Sequence, residues 1–157
     1  MFHRPLIFAA ILVAFPLIAE AGGGKKVEPL TDALTLKECG SCHMAFQPEF
    51  LPVRSWEKLM GNLTDHFGAD ASLSEKSQAH ILAVLKARAA DVTGMKEGRK
   101  MAASIPAGVT PLRISEVPRW VKEHGKIQPN VWARPDIKSK ANCLACHTAG
   151  EQGYYED

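Results

Sequence analysis

Two copies of one short pattern constrain this chain more than anything else in it: Cys39-Gly40-Ser41-Cys42-His43 and Cys143-Leu144-Ala145-Cys146-His147. C-x-x-C-H is the attachment signal for c-type haem, and the chemistry explains the spacing. In a helical turn, positions i, i+3 and i+4 lie on one face, so two thiols and an imidazole can meet one macrocycle. Cys39 with Cys42, and Cys143 with Cys146, can each add to the two vinyl groups of one haem as thioethers, after which His43 or His147 reaches the iron. All four cysteines of the chain are used in this way, and two covalently bound haem c groups are the expected cofactors. A structural zinc would not require a histidine directly after each pair. A thioredoxin-like redox pair would want a βαβ context, which neither copy has.

The first 21 residues read as an export signal. Arg4 precedes an apolar run from Leu6 to Ile18, followed by Ala19-Glu20-Ala21 in the small-x-small form of a cleavage site. The run is shorter than the roughly 20 residues of a spanning helix and carries Pro16. Cleavage after Ala21 is therefore expected, with no transmembrane segment afterwards, and the periplasm is the expected compartment because bacteria attach haem c outside the cytoplasmic membrane.

Residues 22–95 and 96–157 are expected to form two haem domains, each too short to build a large core from side chains alone, so that the haems supply much of the buried apolar surface. Removing Arg4 and Glu20 leaves 18 basic and 16 acidic residues, and no nucleic-acid partner is expected. The balance is uneven along the chain. Glu28 to Glu75 holds eight acids against three bases, whereas Lys96 to Lys140 holds ten bases against four acids. Such a dipole can orient redox partners; it reads equally well as two solvated surfaces.

Hydrophobic periodicity points to an all-α fold of two small lobes of short helices and loops, cytochrome c-like. Pro48 and Pro52 suggest a loop leaving the first motif. Trp56, Leu59, Met60, Leu63 and Phe67 then fall at helical spacing. A second helix starts near Ser72 or Ser74 and carries Ile81, Leu82, Leu85 and Ala89 on one face. Gly94 to Thr110 reads as a connection with a short helix near Lys96 to Ala103. Pro118 can open a helix ending at His124 before Gly125, and a loop with Pro129 and Pro135 leads to the second motif. No segment sustains the period-2 pattern of a sheet.

What fills the sixth coordination position decides the chemistry: histidine closes a low-potential centre, methionine raises the potential, and an open site admits small molecules. His66 extends the apolar stripe of its helix beyond Leu63, and His124 shares a helix face with Trp120 and Val121. Both are candidate iron ligands. His80 lies opposite the Ile81, Leu82, Leu85 and Ala89 face and should point to solvent. Met60, Met95 and Met101 are alternatives, with Met60 packing naturally as core. Two bis-histidine haems fit best, with His66 paired to His43 and His124 to His147; interlocked lobes would swap the pairs.

The stretch Glu38 to Ala71, with ECGSCHMAF, Trp56 and Asp65-His66-Phe67-Gly68, together with SKANCLACHTAGEQG from Ser139 to Gly153, resembles the bacterial dihaem cytochrome c family. The resemblance spans nearly the whole exported chain. It implies a periplasmic electron carrier with one bis-histidine haem in each of two small domains, and it maps the distal histidines onto His66 and His124. It also implies partners: a monohaem cytochrome c that binds oxygen, and a membrane cytochrome b. On this reading the chain is a carrier and not an enzyme. The competing reading is a haem enzyme or gas-binding protein in which one haem, most plausibly the second, lacks a strong sixth ligand.

Overall fold

A computed structural model of the chain describes residues 26–155; the expected export signal and its cleavage point lie outside them. Among the described residues the protein is helical, with no strand beyond two isolated bridges, Lys26 with Tyr154 and His66 with Ala69. Six α-helices follow in order: α1 (Ala33–Cys39), α2 (Val53–Met60), α3 (Glu75–Ala87), α4 (Lys96–Ser104), α5 (Pro118–His124) and α6 (Pro129–Trp132).

Local chemistry accounts for most of the boundaries. Asp32 caps α1, its carboxylate accepting from the Thr35 amide at 2.8 Å and the Thr35 hydroxyl at 2.7 Å. Ser74 caps α3 by accepting from the Ser77 amide. Proline occupies the first turn of α5 and of α6, where its missing N–H costs nothing. The start of α5 is completed from elsewhere, because the Arg119 amide donates to the Ser104 hydroxyl at the end of α4.

The core is one cluster built around α2 and α3, with Trp56 and Met60 facing Ile81, Leu85, Ala89 and Leu51. The Trp56 indole N–H donates to the Pro48 carbonyl at 2.9 Å, satisfying the one polar atom of that side chain. Met101 and Ile105 of α4 and Val117 join the same cluster. Buried packing therefore runs continuously across position 95/96, where the boundary between two haem domains is expected. Behind it, the fully buried Glu49 carboxylate meets Arg88 at 2.7 Å, and Arg88 also donates to the Pro29 and Glu28 carbonyls.

Two expectations need correcting. The apolar spacing from Trp56 to Phe67 is not one helix: α2 ends at Met60 with Gly61 as its cap, and Leu63–Asp65 form a separate 3-10 turn. The i, i+3, i+4 spacing persists past a backbone break, and Phe67 is 46 % exposed, not core. The loop after Gly125 is also not wholly irregular, since Pro129 opens α6.

Candidate functional site

The first C-x-x-C-H begins on the last residue of α1, with Cys39, and leaves it through Gly40 and Ser41. The second forms a turn of its own: Cys143–Ala145 is 3-10, and the His147 amide donates to the Cys143 carbonyl at 2.8 Å. In each motif the first cysteine is partly covered and the second exposed. Burial pushes the Cys143 thiol up to about 11. Burial and the neighbouring Glu38 carboxylate raise that of Cys39.

His66 is presented by a tight turn. The His66 amide donates to the Ala69 carbonyl at 2.8 Å and the Ala69 amide returns to the His66 carbonyl at 3.3 Å. Between them Phe67 and Gly68 both have positive φ, 58° and 92°, the backbone of a two-residue I′ hairpin. The Asp65 carboxylate accepts from the Gly68 amide, and the Arg113 guanidinium sits 3.9 Å from the centre of the Phe67 ring. A left-handed Phe is costly, so these contacts hold a conformation that aims His66 back at the first motif. Its ring centre lies 6.3 Å from that of His43, the planes 24° apart.

His124 ends α5. Its ring stacks on Trp120 at 4.1 Å and 13°, and Nδ1 bonds the Trp120 carbonyl one turn back at 2.9 Å. Its ring centre is 6.0 Å from that of His147, with planes at 85°. Trp132 of α6 lies 5.8 Å from Trp120 and the Lys140 ammonium hangs over both indoles, so the small helix between the loops walls one side of this site.

These distances test whether a haem iron fits. Metal–imidazole bonds are about 2 Å long, so two rings sharing one metal have centres roughly 6 Å apart, and both pairs meet that spacing. The orientation of the rings agrees. His43 Nδ1 bonds the Met44 carbonyl at 2.7 Å, and with His124 Nδ1 on the Trp120 carbonyl, Nε2 of both rings is left for a metal, the second-shell arrangement usual for ligating histidines. His66 differs, with a buried Nδ1 that meets no hydrogen-bond partner. Burial, the adjacent His43 and Arg113 hold His66 below the usual imidazole range, which favours the neutral form a metal requires.

His80 is brought to neither pair. It is half-exposed on α3 and bonds Asp32 at 2.9 Å. Met60 and Met101 are core, as the spacing of Met60 suggests, and Met95 is 36 % exposed. Gln47, Tyr155 and Trp132, which pack around the sites, escape sequence reading. Only Pro129, as a helix-opening signal, could have drawn attention to Trp132.

Two covalent-haem signatures, each faced by a second histidine on a helical scaffold, define a c-type cytochrome with two haem sites. The chain matches the dihaem cytochrome c family over residues 35–155. It is similar to a diheme cytochrome c from Rhodobacter sphaeroides, at 43 % identity and a TM-score of 0.74, over 82 % of this chain and 99 % of that one. It is also similar to the diheme cytochrome c of Shewanella baltica OS155, at 30 % identity and 0.65, over 79 % and 86 %. No curated protein matches. The chain belongs to the dihaem cytochrome c family and carries two haem c groups.

Proposed function

We propose that the protein is a periplasmic electron carrier, not an enzyme, in which Cys39 and Cys42 hold one haem between His43 and His66, and Cys143 and Cys146 hold the other between His124 and His147. The observation that carries this reading is the pair of ring separations, 6.3 and 6.0 Å, each the width of one doubly ligated metal. Bound haem supplies an iron that gains or loses one electron, and two strong imidazole ligands leave it no open position for a substrate. The chain's own residues orient the ligands: the Met44 and Trp120 carbonyls hold His43 and His124, and the left-handed turn at Phe67 and Gly68 delivers His66. No helix among the described residues is long and apolar enough to cross a membrane. Export rests on the sequence pattern before Gly22, and the partners, a monohaem oxygen-binding cytochrome c and a membrane cytochrome b, on family likeness.

The test is spectroscopic. Both ferric haems should be low-spin, and the ferrous protein should not bind carbon monoxide readily at neutral pH. His66→Ala and His124→Ala should each open one haem and take up one carbon monoxide per protein, whereas His80→Ala should change neither haem. Rapid stoichiometric binding by the unaltered protein would overturn the closed-carrier reading.

A further inference from the structure

Gln47 is fully buried four residues beyond His43, and its side chain reaches more than a hundred residues along the chain. Its amide N–H donates to the Gly150 carbonyl at 2.7 Å, and its amide oxygen accepts from the Tyr155 hydroxyl. Tyr155 in turn places its ring 5.3 Å from that of His147 at 61°, and 5.1 Å from Phe50 at 83°. On the other side, Phe46, covalently next to Gln47, stacks on His43 at 4.7 Å and 20°. An unbroken series therefore joins one iron-facing ring to the other: His43, Phe46, Gln47, Tyr155, His147. Only two ring contacts and one hydrogen bond in it are non-covalent.

The segment that carries Tyr155 is fixed from a second direction. The Val27 amide donates to the Gly153 carbonyl at 3.0 Å. Gly153 has φ +84°, and a Cβ built there would stand 2.1 Å from the Val27 carbonyl oxygen, so the close approach requires glycine.

We propose that Gln47 and Tyr155 are positioning residues that lock the second haem site to the loop of the first, making the two haems one redox-coupled unit. This rests on the proposed ligand sets. Exchange moves one electron from one iron to the other, oxidising the first and reducing the second, with no bond made or broken and no proton transferred. The clasp acts by fixing how far apart and in what orientation the two sites are held. Electron exchange between two fixed centres weakens as their separation grows and as their relative orientation drifts, so a loosened clasp should slow it without altering either haem's ligands.

Haem methyl resonances in the half-reduced holoprotein report the exchange rate between the haems, and a redox titration reports how far reduction of one haem shifts the other. Gln47→Met, which removes every hydrogen bond of that side chain, should slow exchange roughly tenfold and weaken the redox interaction; Tyr155→Phe, which keeps the ring on His147 and removes one bond, should slow it about threefold. The double variant should be no slower than Gln47→Met alone, because both act through one clasp. Tyr154→Phe, on the exposed neighbour, should change nothing. Exchange within twofold of the unaltered protein in Tyr155→Phe, with both haems still low-spin, would overturn the proposal, and that variant decides alone if Gln47→Met fails to fold. Loss of the low-spin state in Tyr155→Phe would also overturn it, since the residue would then hold a ligand and not the spacing. Failure of the ligand assignment shows separately, as a high-spin or carbon monoxide-binding haem in the unaltered protein.

Discussion

Replacing Arg88 with leucine should cost this protein a large part of its stability. The Glu49 side chain is fully buried, and Arg88 meets its Oε1 with two nitrogens, at 2.7 and 3.0 Å. The other oxygen, Oε2, is also buried and has no partner, so no second group stands ready to take over the charge. Breaking a buried pair by removing one partner typically costs about 3–5 kcal/mol, because the remaining charge stays desolvated. The Pro29 and Glu28 carbonyls lose their donor as well, although Glu28 can turn to water. At about 4 °C per kcal/mol for a chain of this size, the melting temperature should fall by roughly 12–20 °C. Thermal melting of the holoprotein, followed by far-ultraviolet circular dichroism at fixed pH and salt, measures this. Arg88→Met combined with Glu49→Met should recover more than half of the loss, since replacing both members of a buried pair by apolar groups is often nearly neutral. A drop below 3 °C in Arg88→Leu would refute the reasoning, by showing that the carboxylate does not depend on the guanidinium. Glu28→Ala, which removes only an exposed carboxylate 3.5 Å from Arg88, should change stability by about 0.5 kcal/mol or less.

Acid should act through Asp32. Its carboxyl is lowered to about 2, chiefly by the Thr35 hydroxyl and then by His80, so its contribution is present above the ordinary value of 3.8 and is lost as pH falls toward 2. Asp32→Asn should therefore reduce stability at pH 6 and narrow the gap to the unaltered protein at pH 2.5, read as melting temperature against pH. Docking should depend on charge: association with both redox partners should slow as salt rises toward 0.15 M, where the Debye length is about 8 Å. Lys122→Glu with Lys126→Glu should slow only the partner that uses the basic half, provided the haem spectrum is unchanged; stopped-flow rates independent of salt and of the reversals would mean that the asymmetry is only solvated surface.

Features governed by neighbouring residues were legible in the sequence. α5 runs from Pro118 to His124 as expected, because a proline that begins a helix and a glycine that follows it act within one turn. Ser74 likewise marks the start of α3, and the polar side of that helix correctly set His80 apart. The helical spacing that carries His66 is a false continuity. Leu63, His66 and Phe67 keep helical spacing with Trp56 and Met60, and only the backbone reveals the break after Gly61 and the left-handed turn. The signal was present in Phe67-Gly68 with Asp65 ahead of it, a turn pair and its side-chain cap. α1 buries Thr35 and little else, so no apolar stripe announces it. Gln47 and Tyr155 meet across more than a hundred residues, a contact with no local signature.

The two histidine pairs share a spacing but not a twist, 24° in the first and 85° in the second. With both pairs ligating iron as proposed, each imidazole would donate preferentially to the iron orbital that lies perpendicular to its ring. Nearly parallel rings raise one of the two dπ orbitals above the other, whereas crossed rings raise both alike and leave them almost degenerate. The ferric protein should accordingly give two low-spin electron paramagnetic resonance signals, a rhombic one lost when His66 is replaced and a strongly axial one lost when His124 is replaced. Chemically identical cofactors with identical ligands would then be told apart by magnetism alone, with the difference written into the chain by a hairpin turn at one site and a tryptophan stack at the other.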